Sequence, residues 1–267
     1  MIFLKNNIKI SFSEIILKHF WYIIQTEMRC LTMERITNIG IWGDSILKGV
    51  ILDESDGRYK QFKQSAVNLF KRIFNTTVDI KNNSRFGCTA PKAQKNLNMT
   101  LRHGYKADVV LLEFGGNDCD FNWAEVSSDP DGHHEPNTPP RQFEESMRGM
   151  VNILLKHDIT PVLMNLPPID SELYFNHISC MDGVDGENVL RWLREKNVIY
   201  RQQESYSHRI EKIAHEYNLH LIDVREPFLE IRDYKTCLCG DGIHLNKKGQ
   251  KILGKTFSDY AQKYISA

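Results

Sequence analysis

The chain has 267 residues, 41% of them hydrophobic and 25% charged, a composition that can bury one sizeable core. Basic and acidic residues both number 34, so the formal net charge at pH 7 is +0. This balance argues against a global electrostatic field that recruits nucleic acid or an anionic membrane, and we expect a small molecule as the partner.

The N-terminal region contains a short apolar run, IILKHFWYII at positions 15–24. A lysine and a histidine interrupt the run, which is too short to span a bilayer, and no small-residue cleavage site follows before Met33. A membrane anchor and a signal peptide are therefore both disfavoured. We interpret residues 1–32 as an upstream extension or an appended amphipathic helix, and residues 33–267 as a single domain.

Short apolar runs alternate with longer stretches of helical period, a pattern typical of a parallel sheet covered by helices on both faces. The predicted strands are 36–42, 77–82, 108–115, 160–166 and 219–224. Right-handed crossovers between them give an α/β fold, a three-layer α/β/α sandwich whose five-stranded parallel sheet has flavodoxin-like strand order.

Two stretches have a clear helical period. Apolar residues recur three to four positions apart between Pro139 and His157, with prolines at the first turn. A final helix begins after Asn246, a residue suited to capping it, and its apolar stripe runs to Tyr264.

Two segments, 118–138 and 167–200, are longer than plain connections. Long insertions after parallel strands lie at the carboxyl edge of the sheet, where ligands bind. We therefore expect both segments to form walls or lids of a substrate pocket. Their aromatic residues can line an acyl or aryl site, although each is also an ordinary packing residue. The candidates for substrate contact are Phe121, Trp123, Tyr174 and Trp192.

The cysteines are scattered along the chain, and no C-x-x-C pair indicates a zinc or thioredoxin-type site. A chain of this length folds without disulfide staples, so we expect reduced thiols and a cytoplasmic location. Cys237 and Cys239 admit a thiol nucleophile, but two cysteines packed beneath a loop are the expected arrangement.

A serine directly follows the first predicted strand, in Gly43-Asp44-Ser45. At the opening of a helix its hydroxyl points to the carboxyl edge of the sheet and its N–H stays unpaired. On its own, such a serine is at least as readily a helix cap as a nucleophile.

After the last strand, however, stand Asp241 and His244. A histidine that removes a hydroxyl proton through Nε2 needs a carboxylate on Nδ1, and an aspartate three residues earlier can supply it.

Two other strand ends carry glycines. In Phe114-Gly115-Gly116-Asn117-Asp118, the Asn117 amide can donate a hydrogen bond to a developing oxyanion. In Ser84-Arg85-Phe86-Gly87-Cys88-Thr89, Gly87 can offer an unshielded N–H to the same oxyanion. Taken alone, Gly87 is expected in a turn.

These four segments, in this order and each at a strand end, resemble the SGNH hydrolase superfamily, also called GDSL esterases or lipases. The first block appears as Gly43-Asp44-Ser45-Ile46, with isoleucine where the family name has leucine, and the later blocks match Gly87, Gly115-x-Asn117-Asp118 and Asp241-x-x-His244. The resemblance spans residues 36–264.

The resemblance implies that Ser45 is the nucleophile, His244 the general base and then acid, and Asp241 the residue that orients the histidine. It also implies an oxyanion hole made by the N–H groups of Ser45 and Gly87 and by the Asn117 amide. Asp44 is expected to be structural.

The implied activity is that of a serine esterase or acylhydrolase, which cleaves small acyl esters through an acyl-enzyme intermediate and needs no metal or cofactor. A carbohydrate O-deacetylase, a thioesterase or a lysophospholipase would use the same residues, and the sequence does not separate these substrates. His133 and His134 lie near acidic residues but lack a scaffold that fixes tetrahedral metal geometry.

From a different class, a non-catalytic flavodoxin-like binding module would cradle a phosphate at the glycines of the first and third blocks. No GxGxxG or GxxxxGK[ST] motif is present, and such a module has no need for Asp241 and His244.

Overall fold

The computed structural model describes residues 36–74 and 78–264, so the predicted N-terminal extension lies outside the described residues. The strands are β1 (Asn38–Trp42), β2 (Val50–Asp53), β3 (Arg58–Gln61), β4 (Asp79–Asn82), β5 (Val109–Leu112), β6 (Thr160–Met164) and β7 (His220–Ile222). The helices are α1 (Ser45–Lys48), α2 (Ala66–Phe74), α3 (Ala90–Arg102), α4 (Trp123–Ser128), α5 (Pro140–Lys156), α6 (Ser171–Ile178), α7 (Gly186–Leu193), α8 (Asn197–Glu216), α9 (Glu226–Leu229) and α10 (Lys247–Tyr264).

The central sheet has five strands in the order β4-β1-β5-β6-β7, and all of its neighbouring strands pair in parallel. Numbered along the chain, its members run 2-1-3-4-5, which is the predicted flavodoxin-like order. The strand order reverses beside β1, so the carboxyl end of β1 opens into the crevice where such folds bind ligands.

Helices cover both faces of this sheet, as predicted. Helices α3, α5 and α8 share one core with it, and the fully buried members of that core include Leu97, Met147 and Tyr206. On the other face α2 packs against α10, with the rings of Phe70 and Phe257 5.8 Å apart, and α10 contacts β7. The predicted cap of α10 is also present, because Asn246 Oδ1 accepts the Lys248 N–H at 2.9 Å.

Each sheet strand is shorter than predicted. β1 and β4 begin two residues later than predicted, whereas β5, β6 and β7 end before the predicted run does. After β6, residues 165–170 are all buried although none belongs to a strand. Burial beneath the surrounding helices, rather than pairing, accounts for the apolar character there.

An antiparallel hairpin, β2-β3, was not predicted. Its register pairs Val50 with Gln61 and Asp53 with Arg58. Every residue of β3 is exposed, so the sequence lacks the apolar alternation of a half-buried strand. The hairpin matters for the site because it carries Tyr59.

Segments 118–138 and 167–200 contribute helices α4, α6 and α7 and the start of α8. These helices pack on one another around a second hydrophobic cluster, separate from the core of the sheet. Its buried members include Trp123, Tyr174, Phe175, Val189 and Ile199. Across residues 36–74 and 78–264, no helix has the length and apolarity needed to cross a membrane.

Candidate active site

Ser45 is the first residue of α1, directly after β1, and is 6% exposed. The helix is capped by Asp44, whose Oδ1 accepts the Ile46 N–H at 2.9 Å. The Ser45 hydroxyl is therefore not the capping group, which removes the alternative left open by the sequence. Because Ser45 occupies the first turn of a helix, its own N–H has no intrahelical acceptor.

His244 reaches Ser45 from the loop before α10, with Nε2 2.9 Å from Ser45 Oγ. On the other side of the ring, Nδ1 lies 2.7 Å from Asp241 Oδ2. A carboxylate can only accept, so Nδ1 carries the proton and Nε2 is left as an acceptor for the serine hydroxyl. The structure thus places Ser45, His244 and Asp241 in one hydrogen-bonded chain.

The Asp241 carboxylate is held by its own loop. It is fully buried, and its Oδ1 accepts the N–H groups of Ile243 at 3.1 Å and His244 at 3.0 Å. Burial by itself would raise the pKa of Asp241, but the hydrogen bonds and charge of His244 outweigh it and the pKa is lowered. Gly242 makes this turn possible, since its φ is +73° and a Cβ there would lie 2.7 Å from the Asp170 carbonyl oxygen.

Two exposed aromatic residues cover the histidine. The ring of Tyr59 lies 4.9 Å from that of His244, and Phe86 stacks on the same imidazole at 6.1 Å with an interplanar angle of 4°. The Tyr59 hydroxyl also lies 3.3 Å from His177 Nε2 on α6. Neither aromatic could be assigned a role from the sequence, and Tyr59 carries no pattern that marks it because it lies in an exposed, polar hairpin.

Asn117 lies beside Ser45 but is not free. Its Nδ2 donates to Asp44 Oδ2 at 2.9 Å, while its backbone carbonyl accepts from the Asn137 amide at 3.1 Å. One Nδ2 hydrogen is thereby used to orient the amide, and the second hydrogen remains available to a ligand.

Gly87 lies in the loop between β4 and α3 with a φ of +65°, and a Cβ there would meet no atom within 4 Å. This open, left-handed position suits glycine and leaves its backbone accessible. Its neighbour Phe86 lines the cavity beside Ser45, whereas Gly87 itself is not among the lining residues.

A cavity of about 220 Å³ opens next to Ser45 and His244. Among the described residues that line it, most are apolar or aromatic and none is lysine or arginine. The aromatic candidates Phe121, Trp123 and Tyr174 do line it. Trp192 does not, because it packs behind Phe121 with the ring centroids 4.9 Å apart.

Asp120 belongs to the same wall. Its carboxylate accepts hydrogen bonds from Tyr174 Oη at 2.7 Å and from Trp123 Nε1 at 2.9 Å. Burial raises the pKa of Asp120 to about 6, against the lowering effect of these bonds. The network locks the orientation of two of the cavity's aromatic side chains.

Among residues 36–74 and 78–264, no group of three or more histidine, cysteine or acidic side chains is arranged to hold a metal ion. Cys237 and Cys239 are buried, and burial raises the pKa of Cys239 to about 11, which disfavours a reactive thiolate.

Residues 41–252 match the GDSL-like Lipase/Acylhydrolase family. No curated protein sequence matches the chain.

Several solved structures share the fold. A lipase/acylhydrolase from Enterococcus faecalis is 21% identical over 85% of this chain and 96% of its own, with a TM-score of 0.60. Est24, a carbohydrate acetylesterase from Sinorhizobium meliloti, is 15% identical over 85% and 99%, with a TM-score of 0.59. The psychrotrophic esterase EstA from Pseudoalteromonas sp. is 18% identical over 86% and 100%, with a TM-score of 0.56.

The family match covers well over half of the chain and includes both Ser45 and His244. The chain therefore belongs to the GDSL-like lipase/acylhydrolase family and is a hydrolase of carboxylic esters.

Proposed function

We propose that the protein is a serine esterase that cleaves small, uncharged acyl esters through an acyl-enzyme intermediate on Ser45. The observation that carries the proposal is the chain of hydrogen bonds from Ser45 Oγ to His244 Nε2 at 2.9 Å and from His244 Nδ1 to Asp241 Oδ2 at 2.7 Å. A binding module has no use for a serine hydroxyl paired with an imidazole whose tautomer is held by a buried carboxylate.

In the first half of the reaction, Ser45 Oγ attacks the acyl carbonyl carbon while its proton passes to His244 Nε2. The carbonyl oxygen becomes an oxyanion. The C–O bond to the alcohol then breaks, and His244 returns the proton to the leaving oxygen. In the second half, His244 takes a proton from water as the water oxygen attacks the acyl carbon. The bond from that carbon to Ser45 Oγ then breaks, His244 returns the proton to Oγ, and the acid leaves.

The oxyanion would be met by the N–H groups of Ser45 and Gly87 and by the Asn117 amide. The fixed amide of Asn117 supports this set. Gly87 lies next to the lining residue Phe86 but outside the lining, and is included on the family resemblance. Such donors act most strongly where water is excluded and where they need not reorganise during the reaction.

The cavity favours a small, uncharged substrate. Its 220 Å³ lies below the roughly 300–1,000 Å³ typical of sites for drug-sized ligands. Its described lining carries acidic side chains, including Asp120, but no lysine or arginine to receive a carboxylate or phosphate. Esters with short acyl groups and no negative charge near the ester bond fit these walls best.

A carbohydrate O-deacetylase is the second candidate. Polar side chains interrupt the apolar wall, among them Asp120, Gln202 and Gln203, and these could accept or donate hydrogen bonds to sugar hydroxyls. The fold is also similar to that of Est24, which is a carbohydrate acetylesterase.

Labelling with a fluorophosphonate tests the nucleophile. We expect wild type and Ser205→Ala to label and Ser45→Ala not to label, because Ser205 lies on α8 outside the cavity lining. Absence of label on the wild type, or equal labelling of Ser45→Ala, would reject the proposal.

A substrate series separates the two candidates. p-Nitrophenyl esters of increasing acyl length should show a maximum at short chains, and acyl-CoA thioesters should react poorly. A kcat/KM for acetylated xylan well above that for p-nitrophenyl acetate would favour the deacetylase instead.

A further inference from the structure

Two carboxyl groups, Asp44 and Glu113, meet beneath the proposed oxyanion site. Asp44 is 1% exposed and Glu113 is 0% exposed. The Asp44 N–H donates to Glu113 Oε2 at 3.2 Å, which holds the two buried acids against each other. Glu113 Oε1 meets no donor in the described part of the chain.

Glycines make room for this pair. A Cβ on Gly43 would lie 2.7 Å from Glu113 Oε2, and one on Gly116 would lie 3.3 Å from Asp44 Oδ2. The glycines on either side of the acids therefore allow the carboxyl groups to approach the backbone at the ends of β1 and β5. Larger side chains at these positions would force the acids apart.

Two buried carboxylates repel each other, so their contact is stable only when one of them keeps a proton. Burial raises the pKa of Asp44 as well, but Asp44 is the better anion, since it accepts the Ile46 N–H and the Asn117 amide, each at 2.9 Å. Glu113 accepts a single N–H.

The charged groups that bear on Glu113 are Asp44 and Asp118, and both are acidic. Burial first, and then the charge of Asp44, raise the pKa of Glu113 well above its ordinary value. The shared proton therefore belongs on Glu113.

We propose that Glu113 is a positioning residue, which as a neutral carboxylic acid donates a hydrogen bond to the Asp44 carboxylate and thereby fixes the Asn117 amide for the oxyanion. The proposal rests on the role given to Asn117 in the proposed function. Glu113 acts through Asp44, which links it to both Asn117 and the start of α1.

Ionisation of Glu113 should lower the activity. Once the pH exceeds the folded-state pKa of Glu113, the ionised group would place a second negative charge against Asp44, the contact would open, and Asn117 would lose its anchor. Activity should then fall on the alkaline side. Because the folded-state pKa of Glu113 is raised, its contribution to stability is complete below the ordinary glutamate pKa and is lost as pH rises towards the folded value.

Glu113→Gln and Glu113→Met test the proposal. The amide that Glu113→Gln introduces can donate to Asp44 and accept its N–H without titrating, whereas a thioether of similar volume can do neither. We expect Glu113→Gln to keep kcat/KM within about threefold of wild type at neutral pH and to lack the alkaline decline, and Glu113→Met to lose roughly 100-fold in kcat. Equal impairment of both variants, or an unchanged alkaline decline in Glu113→Gln, would overturn it.

Two further measurements separate failure of this proposal from failure of the proposed function. Urea unfolding between pH 5 and pH 9 needs no activity, and Glu113→Gln should gain stability relative to wild type as pH rises. Fluorophosphonate labelling of the wild type reports Ser45 directly. If the wild type labels but the stability difference between wild type and Glu113→Gln is constant with pH, only the role of Glu113 is rejected.

Discussion

At the scale of single residues, the chain neighbours Asp44 and Ser45 have separate roles in the site. Asp44 caps α1, and this releases the hydroxyl of Ser45 for His244. Asp44 also accepts one hydrogen of the Asn117 amide. This bond orients the second amide hydrogen before any substrate binds. Asp44, expected from the sequence to be structural, therefore orients both the helix of the nucleophile and a proposed oxyanion donor.

Replacement of Asn117 tests the oxyanion assignment. Asn117→Ala should lower kcat roughly 100- to 1,000-fold with little change in KM, because the donor acts mainly on the charge that develops in the transition state. Asn152→Ala, on the surface of α5 where Asn152 donates to Tyr217, is the control. Steady-state kinetics with a p-nitrophenyl ester measure both, and a loss confined to KM would contradict the assignment.

Replacement of Asp241 tests its hydrogen bond to His244. Asp241→Asn keeps the shape of the loop but offers Nδ1 of His244 an amide in place of a carboxylate, which favours the wrong tautomer. We expect kcat to fall by about 10⁴-fold. A variant with near wild-type kcat would show that His244 does not depend on this partner.

At the scale of elements, the connections matter more than the strands and helices they join. The loop of Gly242 closes against the start of α6, where the Asp170 N–H donates to the Gly242 carbonyl at 2.8 Å. The hairpin β2-β3 adds Tyr59 from the other side. Asp241 and His244 are thus enclosed by elements that lie far apart in the sequence.

Gly242→Ala should destabilise this loop and disturb the hydrogen bond between Asp241 and His244. The alanine would adopt a left-handed φ of +73° and place its Cβ 2.7 Å from backbone atoms of residues 170 and 174. We expect a loss of roughly 2 kcal/mol or more in the free energy of unfolding, measured by urea titration, together with reduced kcat.

Gly183→Ala is the matched control for Gly242→Ala. Gly183 has a similar φ of +77° but nothing within 4 Å of a Cβ. The control should therefore cost only about 1 kcal/mol, from the left-handed backbone alone. Equal losses for the two variants would mean that the close packing at Gly242 contributes nothing.

At the scale of the whole molecule, several buried acids make stability depend on pH. Burial raises the pKa of Asp118 to about 7, although the Thr138 side chain and the Ala90 N–H both stabilise its charge. A raised folded-state pKa means that the contribution to stability is complete below about pH 4 and is lost as pH rises to about 7. The free energy of unfolding of the wild type should decline across this window.

Asp118→Asn should weaken that decline, since the amide keeps an acceptor for the Ala90 N–H but does not titrate. Relative to wild type, the variant should gain stability between pH 4.5 and pH 7.5, whereas Asp182→Asn, at an exposed position, should not. Denaturant unfolding at several pH values measures both. A difference between Asp118→Asn and wild type that does not vary with pH would contradict the assigned pKa.

The sequence by itself determined the order of the strands in the central sheet and the strand ends at which polar residues stand. Periods of two and of 3.6 residues mark strands and helices locally, and parallel strands bring their carboxyl ends to one edge. For that reason the sheet order, the cap at Asn246 and the identity of Ser45, Asn117, Asp241 and His244 as neighbours could all be predicted.

The tertiary structure alone decided which atoms of these residues meet. The hairpin β2-β3, the cover of Tyr59 and Phe86 over His244, and the displacement of Trp192 behind Phe121 depend on packing between distant segments. So does the contact of Asp44 with Glu113, because the glutamate lies within an apolar strand run and shows its chemistry only when burial removes water and places a second acid against it.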